Sequence, residues 1–138
     1  MKILILNGPN LNLLGKRESA IYGHLSFEDF LIELKKLYNS VQIDYFQSNA
    51  ESMLIDQIQQ ADENYQGIII NAGAYTHTSI AIADAISAVY IPVVEVHISS
   101  IFAREPYRRK SYLSKVCKGS ICGFGLEGYR LALESFIK

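Results

Sequence analysis

The chain has 138 residues, of which 49% are hydrophobic and 20% charged, and its formal net charge is -1. That length suits a single domain over residues 1–138, and the composition excludes both a disordered chain and a membrane protein. The near-zero charge predicts no nucleic-acid partner, and the lack of an apolar run of about 18 residues predicts no membrane span.

The first part of the chain predicts a strand, a helix and a second strand. Lys2–Asn7 is an apolar run too short for a signal peptide, so we expect a buried strand and a cytoplasmic protein. Ser26 and Asp29 form a capping box that opens a helix, and Val41–Phe46 predicts the second strand. The inward stripe of the helix is Phe27, Phe30, Leu31, Leu34, Leu37 and Tyr38.

The middle of the chain continues this alternation. A second capping signature, Ser48–Glu51, predicts a helix. Its inward residues are Leu54, Ile58, Ala61 and Tyr65. Gly67–Asn71 is apolar without alternation, which is typical of a strand covered on both faces. Thr78–Val89 then predicts a helix, and Ile91–Ile98 predicts the fourth strand.

The last part of the chain predicts a fifth strand, Val116–Ile121, and a closing helix, Leu126–Lys138. The stripe of that helix is Leu126, Tyr129, Leu133, Phe136 and Ile137. Cys117 and Cys122 would point to opposite faces of the strand, so we expect buried structural thiols without a disulfide or a shared metal. Five strands alternating with helices imply an α/β fold of three layers, with helices on both sides of a parallel sheet.

Polar residues gather where three of the predicted strands end. Asn7–Asn12 follows the first strand, Asn71–Ser79 the third, and Glu95–Ser100 the fourth. Ligands of open parallel sheets bind beyond the carboxyl ends of the strands. So many polar groups are too costly for a purely structural edge, and we therefore expect a functional site there.

The segment from Gly15 to His24 has a glycine near each end, as a hinged lid would. It carries Arg17 and Tyr22, which are either a surface arginine and a packed tyrosine or an activated base. A free tyrosine is almost wholly protonated at neutral pH, because its pKa is near 10. A neighbouring guanidinium would favour the phenolate, so the second interpretation needs these two residues together.

His97 ends the fourth predicted strand and shares a face with Glu95, two residues earlier. Such a histidine is either a neutral side chain satisfied by backbone or a general acid that titrates near neutrality. A metal site made of His77, His97 and Glu95 is less favoured, because these residues show no ligand spacing such as HExxH.

Three further segments leave alternatives open. The Gly73–Ser79 turn either caps a helix or binds an oxygen-rich ligand. Asp84, within an apolar helix, lies either on a narrow exposed edge or at an interface between subunits. Arg104, Arg108 and Arg109 form either a solvated basic turn or a grip on ligand hydroxyl or carboxylate groups, and the sequence does not separate them.

Five blocks of sequence together resemble the type II 3-dehydroquinate dehydratases, over essentially the whole chain. The blocks are Asn7–Glu18, Ile21–Gly23, Asn71–Ser79, Val96–Ser99, and Ala103–Glu105 with Arg108 and Ser111. The resemblance implies a flavodoxin-like fold. It also implies a lyase that removes water from 3-dehydroquinate by anti elimination, giving 3-dehydroshikimate in the shikimate pathway to chorismate and the aromatic amino acids.

The resemblance further implies catalytic roles. Tyr22 would accept the proton from C2 of the substrate, with Arg17 as its activator. His97 would donate a proton to the departing C1 hydroxyl. Asn12 would support the enolate through a water, with Asn10 beside it.

The implied substrate-binding residues form two groups. The side chains of Asn71, His77 and Arg108 would hold the ring hydroxyls. The backbone amides of Ile98 and Ser99 would take the substrate carboxylate.

The family commonly assembles as a homododecamer, a tetramer of trimers, in which Asp84 would reach into a neighbouring subunit's site. Glu95 would help to orient the polar network, and neither a cofactor nor a metal is implied. Ala72 and Ser19 stand where the family usually has proline, which affects the expected substrate affinity and lid kinetics but not the reaction.

Two rival functions are less favoured. A nucleotide- or phosphate-binding module would need a glycine-rich loop, and Gly8–Asn10 begins neither GxGxxG nor GxxxxGK. A scaffolding subunit would leave the polar edge unexplained.

Overall fold

The computed structural model describes residues 1–15 and 25–137 of the chain. The strands are β1 (Lys2–Asn7), β2 (Gln42–Gln47), β3 (Gly67–Asn71), β4 (Val93–His97) and β5 (Gly119–Cys122). The helices are α1 (Phe27–Leu37), α2 (Glu51–Asn64), α3 (Ile80–Ala88) and α4 (Glu127–Ile137). The strands pair in parallel in the order β2-β1-β3-β4-β5, the flavodoxin-like order. The predicted fold is confirmed.

The core lies on both faces of this sheet, because side chains alternate along each strand. Ile3 and Ile5 face the cluster formed with α1 and α4, whereas Leu4 and Leu6 face the cluster formed with α2 and α3. Most of the predicted inward stripes pack as expected. Leu37 is an exception, since 71% of it is exposed at the end of α1.

The predicted start of α1 is confirmed with Ser26 as its N-cap, because the Ser26 hydroxyl accepts a hydrogen bond from the Asp29 amide over 3.1 Å. The second signature works differently. The Ser48 hydroxyl accepts from the Ala50 amide, one turn before α2, and Ala50 itself caps the helix without a side-chain bond. Glu51 instead accepts a hydrogen bond from Ser79, the N-cap of α3, and so ties α2 to α3.

The loops that follow β1 and β3 approach each other backbone to backbone. The Gly8 amide donates to the Asn71 carbonyl over 2.7 Å, and a Cβ on Gly8 would lie 2.4 Å from the Ala72 carbonyl oxygen. Gly73 has a φ of 59°, in the left-handed region that favours glycine. These two glycines let the edge of the sheet close around the polar residues at the strand ends.

The connection from β4 to β5 contains no α-helix. It makes two short 3-10 turns, Ile101–Ala103 and Pro106–Arg108, and packs the fully buried Leu113 into the cluster of α2 and α3. The fifth strand begins at Gly119, three residues later than predicted.

The late start of β5 changes the interpretation of the cysteines. Cys117 precedes the strand, so the expectation of two thiols on opposite faces of one strand is wrong. Both thiols are free, but they are half-buried, not buried. Separately, no helix within residues 1–15 and 25–137 is long and apolar enough to cross a bilayer.

Candidate active site

A pocket opens beyond the carboxyl ends of β1, β3 and β4, where the sequence predicts a site. It is lined by residues from all three loops. Among the described residues these are Pro9, Asn10, Leu11, Leu13, Leu14, Asn71, Gly73, Ala74, His77, His97, Ile98, Ser99, Ile101, Arg104 and Arg108. Five of the predicted site residues therefore share one pocket with His97: Asn71, His77, Ile98, Ser99 and Arg108.

The floor of the pocket is a buried hydrogen-bond network centred on Tyr129. Its hydroxyl donates to Asn7 Oδ1 over 2.8 Å and accepts from Asn71 Nδ2 over 3.0 Å. Asn71 Oδ1 accepts from the Gly73 amide over 3.1 Å. Asn7 and Asn71 are register partners on β1 and β3, so one hydroxyl from α4 fixes both amides. The second hydrogen of Asn71 Nδ2 is left for a ligand.

Burial raises the pKa of Tyr129, whose hydroxyl stays neutral and acts only as a hydrogen-bond bridge. Sequence reasoning placed Tyr129 on the inward stripe of the closing helix but missed its hydroxyl. Burial of a tyrosine is the available signal, because a buried phenol normally has a polar partner.

A second set of hydrogen bonds beside the pocket joins His97 to Glu95, as their position on one face of the predicted strand leads us to expect. His97 Nε2 lies 2.6 Å from Glu95 Oε2, and Glu95 is fully buried. Burial opposes ionisation of Glu95, but hydrogen bonds from His97, Ser111 and Ser114 outweigh it and lower its pKa to about 2. Because Nε2 faces Glu95, Nδ1 is the His97 nitrogen left for a ligand.

His77 stands beside this pair, with its ring centroid 6.3 Å from that of His97. Its Nδ1 contacts the Lys110 carbonyl over 2.7 Å, which fixes the ring. Burial lowers the pKa of His77, so the ring is neutral near pH 7. Within residues 1–15 and 25–137, no three His, Cys, Asp or Glu side chains are grouped to hold a metal.

The three arginines that the sequence left unresolved are separated by the structure. Arg104 and Arg108 line the pocket, whereas Arg109 is exposed and does not. Arg108 is also close to an acidic partner, since its Nε lies 3.2 Å from Glu105 Oε1. Two guanidinium groups therefore give the pocket a cationic wall that suits a carboxylate or hydroxyl-rich ligand.

The two asparagines after β1 have different positions. Asn10 lines the pocket and has a φ of 70°. Its backbone N–H donates a hydrogen bond to Asn49 Oδ1 over 3.1 Å. Asn12 is exposed, and its Oδ1 lies 3.5 Å from Gln47 Nε2. The structure therefore does not bring Asn12 into the pocket, because the left-handed turn at Asn10 leads the following residues past the pocket.

The remaining predicted residues lie elsewhere. Asp84 is exposed on α3 and does not line the pocket of its own chain. Arg17 and Tyr22, with the predicted lid between Lys16 and His24, lie outside the described residues.

Taken together, the described groups can bind a polyhydroxylated anion and deliver a proton to it. An amide hydrogen, a neutral imidazole and two guanidiniums surround a histidine whose far nitrogen is fixed by a buried carboxylate. This is the arrangement of a general acid beside an oxygen-rich ligand.

Over its whole length, the chain is similar to proteins of one known family. A family model described as Dehydroquinase class II matches residues 1–137. A 3-dehydroquinate dehydratase of Prochlorococcus marinus (strain NATL1A) is 52% identical over 139 residues, covering 99% of this chain and 96% of that one. One from Actinobacillus pleuropneumoniae serotype 5b (strain L20) is 55% identical over 135 residues, covering 96% and 88%. The crystal structure of type II dehydroquinase from Butyrivibrio crossotus DSM 2876 superposes with a TM-score of 0.97 at 45% identity, covering 100% and 98%.

We predict that Tyr129→Phe destabilises the protein. The change keeps the ring but leaves Asn7 and Asn71 without their shared partner, which should lower the free energy of unfolding by about 2 to 4 kcal/mol. Urea unfolding at fixed protein concentration measures it. The matched control is Tyr90→Phe, at a side chain that is 95% exposed, which should change the value by less than about 0.5 kcal/mol. Equal stability of the two variants would contradict the prediction.

Proposed function

The chain belongs to the class II dehydroquinase family, and on that premise we propose how its own residues remove water from 3-dehydroquinate. The enzyme is a hydro-lyase of the shikimate pathway that forms 3-dehydroshikimate through an enolate by anti elimination. The observation that carries the residue assignments is the buried Glu95–His97 pair, which leaves His97 Nδ1 at a pocket lined by Asn71, His77 and Arg108.

We propose two proton transfers on opposite sides of the substrate ring. The Tyr22 phenolate, stabilised by Arg17, takes the proton from C2, and the electron pair of that bond moves onto the C3 carbonyl oxygen as an enolate. When the enolate collapses, the C1–C2 double bond forms and the C1–O bond breaks. The leaving oxygen takes the proton of His97 Nδ1 and departs as water, so charge and protons balance.

Binding of the substrate follows from the same pocket. The free hydrogen of Asn71 Nδ2, the His77 ring and the Arg108 guanidinium would hold ring hydroxyls, and their shared position on the pocket wall supports this. The substrate carboxylate is assigned to the backbone amides of Ile98 and Ser99, at the end of β4.

For the enolate we propose Asn10 instead of Asn12. Both side chains are exposed, but Asn10 lines the pocket on the turn after β1, whereas Asn12 does not line it and lies beside Gln47. A neutral amide donor suits an oxygen that becomes negative only during the reaction, because it stabilises the charge without binding the ketone equally well.

We propose that the enzyme assembles as a homododecamer, a tetramer of trimers. The outer face of α3 supports this assignment, because Ile80 is 60% exposed there and Asp84 lies on the same helix without reaching its own pocket. In the trimer, Asp84 would complete the site of a neighbouring subunit.

We further propose a cytoplasmic enzyme with one catalytic domain, residues 1–138, and a lid at about residues 15–24. In support of the single domain, β1 lies inside the sheet between β2 and β3, so Lys2–Asn7 is part of its core. The proposed function is tested by following the absorbance of the conjugated enone formed from 3-dehydroquinate by the assembled protein. No turnover would overturn it.

We predict that Tyr22→Phe lowers kcat about 10³-fold while substrate still binds, because the variant keeps the ring but has no phenolate to accept the C2 proton. Steady-state kinetics and a direct binding measurement check this. Tyr90→Phe serves as the control and should retain parental kcat. A kcat for Tyr22→Phe within threefold of the parent would reject Tyr22 as the base.

We predict that His97→Asn separates the two proton transfers. Elimination should fall by about 10² to 10⁴-fold, since no acid protonates the leaving hydroxyl. Exchange of the C2 proton with deuterium in solvent, followed by NMR, should fall much less because it needs only Tyr22. If both rates fall equally, His97 positions the substrate and is not the proton donor.

We predict that Asn10→Ala and Asn12→Ala differ. Loss of an enolate-stabilising donor in the pocket should lower kcat for Asn10→Ala about tenfold or more. Asn12→Ala, at an exposed side chain, should stay within about threefold of the parent. The reverse order in the same enone assay would return the enolate role to Asn12.

A further inference from the structure

The carboxylate of Glu95 is saturated with hydrogen bonds although no part of it is exposed. Oε2 accepts from His97 Nε2 and from the Ser111 hydroxyl, each over 2.6 Å. Oε1 accepts from the hydroxyls of Ser114 and Ser120, also over 2.6 Å each. Two carboxylate oxygens have about four acceptor positions, so these four donors fill the group.

Ser111 is held as a donor by its surroundings, and the Ser120 hydroxyl is 2.6 Å from Glu95 Oε1 and 3.3 Å from the Ser114 hydroxyl. The Ser111 hydroxyl accepts from the amides of Leu113 and Ser114 over 3.0 and 3.1 Å, which leaves its single hydrogen for Glu95. Ser120 lies beside Glu95 as its register partner on β5. The serines thus come from the β4–β5 connection and from the edge strand, and they meet on one carboxylate.

Such hydroxyls matter because Glu95 and His97 compete for one proton. If the Nε2 proton of His97 moved to Glu95, the pair would become neutral, and His97 would keep only the Nδ1–H of neutral imidazole, a very weak acid. Burial alone favours that neutral pair, since it raises the pKa of a carboxyl group. Hydrogen bonds to the ionised carboxylate favour the opposite state, the imidazolium.

Within residues 1–15 and 25–137, two other titratable groups face Glu95, and both are uncharged near neutral pH. His77 faces it from the Gly73–His77 turn, and burial lowers the pKa of that ring. Cys117 faces it from the β4–β5 connection, and burial, with the charge of Glu95, raises the pKa of that thiol to about 12. On the adjacent strand β3 the register partner is Ile70.

The helices packed on this face contribute apolar side chains. They come from α2 and α3: Leu54, Ile58, Ile82 and Ile86. In the part of the chain that the structure describes, the side chains that hydrogen-bond to the Glu95 carboxylate are therefore His97 and the three serines, while Arg104 and Arg108 lie farther out, in the pocket with His97.

We propose that Ser111, Ser114 and Ser120 are positioning residues that keep Glu95 ionised and so keep the transferable proton of the pair on His97. The inference rests on the proposed role of His97 as proton donor. It assigns to these serines an indirect role in the proton transfer, because none of them lines the pocket.

The test is the pH profile of kcat for Ser111→Ala, Ser114→Ala and Ser120→Ala in the assembled enzyme. Removing a hydroxyl that donates to Glu95 makes the Glu95–His97 pair hold its proton more tightly, so the pair becomes a weaker acid. The basic limb of the profile, where the pair loses its proton, should move upward by about one pH unit. The plateau of kcat should fall about threefold to tenfold, KM should change less than twofold, and C2 proton exchange should persist.

Two further variants control for structure. Ser111→Thr keeps the hydroxyl and should restore the parental profile. Ser135→Ala removes a hydroxyl that donates to the Ala132 carbonyl within α4, away from Glu95, and it should leave the profile unchanged. Ser120→Ala, at an exposed position on β5, keeps the test valid if Ser111→Ala fails to fold.

Two results would overturn the proposal. One is a profile for all three alanine variants that matches Ser135→Ala. The other is an equal loss of elimination and C2 exchange with no movement of the basic limb, which indicates a structural role. Failure of the proposed function is distinct, because the parent enzyme itself would then show no turnover of 3-dehydroquinate. Failure of the His97 assignment is distinct too, because His97→Asn would then keep elimination and the basic limb.

Discussion

Polar side chains buried at the end of a sheet need hydrogen-bond partners. The site depends on how the fold supplies partners to three of them. Asn7 and Asn71 meet on the Tyr129 hydroxyl, and Glu95 meets three serines and His97. Unpaired, such groups would each cost more free energy than most single contacts contribute. The helices and loops that supply the partners are therefore as necessary to the site as the residues that line it.

Satisfying these groups also decides which atoms remain for a ligand. Asn71 uses its oxygen and one amide hydrogen inside the fold, and His97 uses Nε2. What remains is one amide hydrogen and Nδ1, both fixed in direction by bonds to rigid elements. Groups fixed in this way need no reorganisation when charge develops in the substrate, which is the main electrostatic advantage an enzyme has over water.

The sequence predicted the parts of the fold that follow from local pattern and burial. β1 and β3 were located to the residue, because strands covered on both faces are continuous apolar runs. The edge strand β5 was misplaced, since its residues are half exposed and carry no such signal. The family resemblance implies Asn12 with Asn10 beside it, and only the folded chain shows that Asn10, at a φ of 70°, is the one of the two that lines the pocket.

The hydrogen-bonding roles of residues that connect distant segments could not be predicted, because their partners come close only when the chain is folded. Tyr129 lies 122 positions from Asn7, and Ser120 lies 25 from Glu95. The sequence pattern predicts Tyr129 as an ordinary core residue. Its ring does lie in the core, where it packs edge-on against Phe27. Since one side chain contributes both to the core of α4 and to the floor of the pocket, packing and activity are coupled there. A change in helix packing at Tyr129 must also move Asn71.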